Sequence, residues 1–368
     1  MSDSFFCYRF IGGASRIAVG FICTFICYSV QSCDNNKATA VQRGVVIIRP
    51  FLPEKKVPAF GVMLRPSTVR VNKSTGNVFI LDEGNHRILE FGSGGDFIKQ
   101  IGGIGQRPEQ FLDPCDFDLD NRGRIYVVDA GNQRISILDT NGRQISSFPI
   151  PSFPKASILI KNENEILVNQ PTIDGALFVV YNSHGTRVGS IGKVDNFETP
   201  PFEGSNTMAT WAFNQVRARI NRKGFLVTFY VARPLLRLFD PKGVLVKEKE
   251  IHGLEIDTVF VLYKKNLERV KAEAQLKPQS VTFSQFFTDF DFVPQQDGEE
   301  AIVRVNTTAN NTFYEFDNSL NLIKTYRVED VTGAHLAPPF ILRFTHISGS
   351  TLVASDYVAG RLFYVTLN

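Results

Sequence analysis

Cysteine is scarce in this chain of 368 residues: there are five, and three of them, Cys7, Cys23 and Cys27, lie near the start. Cys33 and Cys115 are the others, which excludes a disulfide framework. Charge of one sign is also lacking. Forty Lys and Arg stand against 37 Asp and Glu, a formal net charge of +3, so no strong field for nucleic acid is implied. The basic segment Arg217 to Lys223 alternates its charges along a strand and turn, which does not change that. Long hydrophobic runs are missing. The apolar stretch from Ile17 to Val30 is too short to cross a ~30 Å hydrocarbon core comfortably as a helix, and a polytopic membrane protein is excluded. Catalytic signatures are missing as well: there is no Gly-x-Ser-x-Gly elbow, no phosphate loop, no His-x-x-x-His and no zinc-finger cysteine pair. The five histidines, His86, His184, His252, His335 and His346, are far apart in sequence.

What the chain does have is 43% hydrophobic residues, which excludes a disordered chain, and 32 Phe with 28 Gly and 18 Pro. That mixture suggests many short, aromatic-rich strands joined by turns. A repeat is legible. Gly76, Asp82, Gly84, Asn85, Arg87 and Ile88 recur as Gly123, Asp129, Gly131, Asn132, Arg134 and Ile135, each displaced by 47 positions. Between the copies runs Gly105-Gln106-Arg107-Pro108-Glu109-Gln110-Phe111, ending at Pro114. The nearby glycines Gly102, Gly103 and Gly105 fall in this inter-repeat turn with no helix following.

These two copies resemble the NHL repeat, a β-propeller blade of the form strand, Asp, Gly-Asn-His-Arg-Ile, strand, turn, strand. The resemblance covers roughly 66–150. It implies an all-β propeller in which the pairs Asp82/Arg87 and Asp129/Arg134 hold a tight turn together. Asp356 and Arg361 keep the same spacing near the other end of the chain and are assigned the same structural role.

Strand and turn patterns continue the rhythm through units near 158–188, 216–251, 286–328 and 341–367. The last unit has one strand too few, and Arg43 to Ile48 reads as a strand without a unit. A ring must close or expose an unpaired edge, so 45–48 is expected to supply the outer strand of the last blade. The expectation is a six-bladed propeller over 45–368, with insertions at 193–215 and 252–285. Within the second insertion, 257–277 reads as a helix: Val259, Leu262, Tyr263, Leu267, Val270 and Ala274 share one face, and Pro278 ends it.

Residues 1–32 read as an exported signal peptide, with Arg9 and Arg16 ahead of the apolar stretch. Val30-Gln31-Ser32-Cys33 resembles the lipobox of bacterial lipoproteins. That resemblance implies lipidation of Cys33, a polar tether over 33–44, and a lipid anchor in the cell envelope. Asp34 after the cysteine points to the periplasmic side of the inner membrane. Cys115, left alone, reads as a buried small hydrophobe.

The candidate binding face consists of turn residues Asn85, His86, Asn132, Gln133 and Tyr357, with Arg233 and the loop 307–311. The function expected is non-catalytic recognition of a protein, peptide or saccharide by a monomer with no cofactor and no nucleic-acid partner. The alternative is a lactonase-like hydrolase or an amidating-lyase-like enzyme, with a metal in the central channel held by His, Asp or Glu from several blades.

Overall fold

The computed structural model describes residues 5–8, 18–22, 42–52, 60–151, 156–162, 164–171, 174–195, 206–251, 261, 280–283, 288–294, 300–306, 313–317, 320–328 and 341–368. Short strands built on alternating residues pair antiparallel in sequence order, each sheet running outward from its first strand. Blade 1 is Pro66–Val71, Val78–Asp82, Arg87–Phe91 and Phe97–Gly102. Blade 2 repeats it with Pro114–Leu119, Ile125–Asp129, Arg134–Leu138 and Gln144–Pro149. Blade 3 is Ser157–Asn162, Glu165–Asn169, Ala176–Tyr181 and Arg187–Lys193. Blade 4 is Val216–Ile220, Leu226–Tyr230, Leu235–Phe239 and Leu245–Glu250. Blade 5 is Asp289–Pro294, Glu300–Asn306, Phe313–Phe316 and Leu322–Val328.

Blade 6 has three strands from the end of the chain, Ile341–Ser348, Thr351–Asp356 and Arg361–Leu367. Its fourth is the early strand Gln42–Pro50, which pairs antiparallel with Arg361–Leu367 so that Ile48 faces Val365. This is the expected closure. The same strand also pairs parallel with the outer strand of blade 5, Gln42 facing Lys324, and so joins blades 5 and 6 into one eight-stranded sheet. Gly44 sits at that junction. A Cβ there would lie 2.4 Å from the Tyr326 ring and 2.5 Å from the Asn368 carbonyl, so a side chain has no room.

The first strand of every blade touches the first strand of the next, and Ile341–Ser348 touches Pro66–Val71. The chain is therefore a closed six-bladed β-propeller, with the first strands lining a central channel. Alternation along each middle strand serves two seams at once. In Val78–Asp82, Val78 and Ile80 pack toward blade 6, while Phe79 and Leu81 pack toward blade 2. Six apolar clusters fill the six seams. Phenylalanine is abundant because these wedge-shaped gaps suit large flat side chains: Phe229 meets Phe290 at 4.6 Å between blades 4 and 5, and Phe313 meets Phe344 at 5.4 Å between blades 5 and 6. Each such buried ring contributes about 1.5–3 kcal/mol. Cys115 is buried in the seam between blades 2 and 3, as a small hydrophobe would be.

Two features were not legible beforehand. The first insertion contains a helix, Asn206–Phe213, whose Trp211, Ala212 and Phe213 are buried. Outside the ring, Phe5–Tyr8 pairs with Ala18–Ile22, which in turn lies parallel to Ser280–Phe283. The helix expected over 257–277 lies outside the described residues apart from Val261, which is helical. Cys33 and the loop 307–311 also lie outside them.

Candidate functional site

Strand register decides which loops share a face. Pro66 faces Asp82, Asp82 faces Arg87, and Arg87 faces Gly102. The turn between the second and third strands therefore emerges on the same side as the connections between blades. The helix of the first insertion and the candidate residues Asn85, His86, Asn132, Gln133, Tyr357 and Arg233 lie on this loop face.

The repeated Asp is a knot on that face. Asp82 is fully buried. Its Oδ1 accepts the Leu64 N–H at 2.7 Å, and its Oδ2 accepts Asn85 Nδ2 at 2.7 Å and Arg87 Nε at 2.8 Å. Asp129 makes the same set with Leu112, Asn132 and Arg134. Each carboxylate thus ties its own turn to the connection arriving from the preceding blade. The glycine of the motif exists for the same approach: a Cβ on Gly84 would lie 2.5 Å from the Leu64 carbonyl oxygen, and one on Gly131 would lie 2.7 Å from that of Leu112. Asp356 accepts the Val358 and Ala359 N–H groups and pairs with Arg361 at 3.1 Å.

The candidate binding residues occupy distinct roles. Asn85 and Asn132 donate inward, to the Val62 and Gly105 carbonyls as well as to their aspartates. His86, in the left-handed region at φ 54°, accepts the Asp113 N–H on Nδ1 at 2.9 Å and so bridges blades 1 and 2. Gln133 takes the same backbone conformation and is exposed. Tyr357 is buried. Arg233 stacks on Tyr230 at 4.0 Å, donates to the Phe213 carbonyl, and pairs with Asp195 at 2.6 Å.

Asp195, which the sequence did not single out, organises the blade 4 part of this face. It receives both Arg233 and Arg237, and Arg237 also reaches the Tyr230 hydroxyl. Burial raises the Asp195 carboxyl, but the two guanidinium groups outweigh it and hold the group below its usual range. Burial pushes the Tyr230 phenol up to about 12 against the pull of Arg237 and Arg233.

The second site is the channel. The innermost strands of blades 2 and 5 both carry Asp-Phe-Asp: Asp116-Phe117-Asp118 and Asp289-Phe290-Asp291. Those blades stand opposite each other in the ring. Each pair accepts backbone N–H groups of the following blade: Ile158 and Ile160 from blade 3, Phe344 and His346 from blade 6. Each pair also meets an arginine of the preceding blade, Arg70 to Asp118 at 3.0 Å and Arg219 to Asp289 at 3.2 Å. The halves differ in one respect. Where blades 1 and 3 offer the neutral Thr68 and Ser157, blades 4 and 6 place Arg217 and Arg343. The depth of the channel, and then the like charge of Arg343, pull Arg217 down to about 9. Burial lowers Arg343 as well. For Asp116 burial acts upward, yet Arg70, Arg343 and Arg217 keep the carboxyl ionised below its ordinary range. Alternate charged residues on innermost strands, with Asp-Phe-Asp recurring, were the available signal. Among the described residues no group of three His, Cys, Asp or Glu gathers to hold a metal.

Comparison with known proteins agrees with this architecture. A family model described as "6-bladed beta-propeller" matches residues 63–165. Human E3 ubiquitin-protein ligase NHLRC1 is 29% identical over 84 residues, which is 23% of this chain and 21% of that protein. The likeness supports NHL repeats in this chain, which spans about a fifth of that relative's length. Among solved structures, an exported protein of Bacteroides fragilis superposes with TM-score 0.54 at 14% identity, covering 91% of this chain and 98% of its own. Virginiamycin B lyase from Staphylococcus aureus, a catalytically inactive variant solved with quinupristin, gives TM-score 0.50 at 12% identity over 86% of this chain and 83% of that one. At such identities the likeness is one of fold.

Proposed function

We propose that this chain is a non-catalytic NHL-type binding propeller, lipid-anchored through Cys33 in a bacterial envelope, which recognises a protein, peptide or saccharide on its loop face. The observation that carries the reading is an asymmetry between the two faces. On the far face the turns are short and alike: 72–77, 92–96, 120–124, 139–143, 182–186, 221–225 and 240–244. On the loop face the connections between blades run from seven residues, 150–156, through eleven, 103–113, to twenty-two, 194–215, so the large differences in length fall on this side. A ring that satisfies its own backbone leaves such loops free to differ, and binding residues gather where loops differ. The Asp knots hold this face rigid, which lowers the ordering cost of recognition.

The test is site-specific photo-crosslinking in cells. A crosslinker at exposed Gln133 or Val358, on the loop face, is expected to capture one defined envelope component. A crosslinker at Asn141, on the far face, is expected to capture none. Capture from Asn141 alone would overturn the assignment of the face.

A further inference from the structure

We infer that the channel wall between blades 1, 3, 4 and 6 is a binding site for a small monovalent inorganic anion of chloride size. A cavity of about 10 Å³, room for about one water molecule, is lined there by Arg70, Asp116, Ser157, Arg217, Arg219 and Arg343. Four guanidinium groups face it against one carboxylate.

The hydrogen-bond accounting is one-sided. Asp116 is already engaged, accepting Thr68 Oγ1 at 2.8 Å and the Ile158 N–H at 3.1 Å. Arg70 and Arg219 are engaged with Asp118 and Asp289. Arg217 donates from Nε to the Thr288 carbonyl and from Nη1 to Ser157 Oγ. Arg343 is different. Its side chain is 6% exposed, its nearest carboxylate oxygen is 4.0 Å away on Asp289, and its Nε is buried without a hydrogen-bond partner. A guanidinium carries five donors. The unfilled capacity at this cavity is therefore donor capacity, supplied by Arg343, by the rest of Arg217 and by the Ser157 hydroxyl that receives Arg217. Only an acceptor fills it, and among arginines a charged one is favoured. Burial, and after it the like charge of Arg343, hold Arg217 below its usual range despite Asp289 and Asp116 nearby. The pseudo-twofold arrangement of the channel points the same way, because Arg217 and Arg343 replace Thr68 and Ser157 and give the blade 4–6 half two more guanidinium groups than its counterpart. The cavity has room for about one water-sized particle, which suits a single spherical ion.

The experiment uses the purified full chain. Chloride-35 NMR line width is measured as chloride is added at constant ionic strength with gluconate as the replacing anion. Saturable broadening, displaced by bromide, is expected. Arg343→Met should weaken the affinity about tenfold or more, the loss of a charge-assisted hydrogen bond. Ser157→Ala should weaken it less while leaving the circular dichroism spectrum unchanged. A crystal soaked in bromide is expected to show an anomalous peak between Arg217 and Arg343. Should Arg343→Met fail to fold, Ser157→Ala and the wild-type bromide crystal decide the matter. Absence of saturable broadening, broadening unchanged in folded Arg343→Met, or an ordered water in place of bromide would each overturn the site.

Discussion

Asp116 and Asp289 stand on opposite blades of the ring and close equivalent seams. One accepts the Ile158 N–H of blade 3 at 3.1 Å, and the other accepts the Phe344 N–H of blade 6 at 3.2 Å. Each is nearly inaccessible to solvent and lies beside arginines of the preceding blade. The ring is thus stitched at its centre by carboxylates as well as packed by phenylalanines at its seams.

Asp116 makes stability depend on acid. Its folded-state pKa lies below the unfolded value of about 3.9, so its contribution is complete above that value and is lost as pH falls toward the folded value. Asp116→Asn should lower stability at neutral pH by about 3–5 kcal/mol, since Arg70 loses a buried partner. It should also flatten the acid limb of the stability curve. Urea unfolding of both proteins between neutral pH and about pH 3 checks this.

Tyr230 gives the alkaline counterpart. Its phenol titrates near 12 in the fold but near 10 when unfolded. The stability it confers is full below about pH 10 and declines between 10 and 12, because the unfolded chain releases the proton first. Absorbance titration of the phenolates should show a component with a midpoint near 12 that disappears in Tyr230→Phe.

Gly44 controls the closure. Adding a methyl group there drives it into Tyr326 and the Asn368 carbonyl. Gly44→Ala is expected to cost about 1–3 kcal/mol as an overpacking change. Amide hydrogen exchange should accelerate in Gln42–Pro50 and Arg361–Leu367 while blade 2 stays protected.

The anchor has its own test. Cys33→Ser is expected to move the protein from the membrane fraction to the soluble fraction of the envelope. Mass spectrometry of the wild-type mature chain is expected to find a diacylglyceryl group on Cys33 at the new N-terminus. An intact Met1 or an unmodified Cys33 would remove the anchor from the proposal.

Local chemistry explains what could be read in advance. The Asp82 and Asp129 turns were legible because each knot is made within one short segment, and the echo at Asp356 followed from the same spacing. The closing strand was legible because an unpaired edge is costly, although its second, parallel partner in blade 5 was not: nothing in Gln42–Pro50 itself specifies which neighbour lies beyond it. The channel network was hidden for a related reason. Asp116 and Arg70 are ordinary polar positions on alternating strands until six strands converge and bury them. Helix Asn206–Phe213 was missed because its eight residues make barely two turns, too few for a helical period to stand out. On the loop face, Asn85 and Asn132 looked like free turn residues, but their amides serve the carbonyls of the incoming connection.

The strand Gln42–Pro50 is shared by two blades: its first half, 42–46, pairs with Leu322–Val328, and its second half, 46–50, pairs with Arg361–Leu367. A pull along the strand from Gln42 therefore loads the blade 5 ladder first and the blade 6 ladder behind it, each in shear. Within each ladder the bonds must yield together and not one after another, as they would in peeling. The point where the chain enters the ring is, in mechanical terms, a seam that resists tearing.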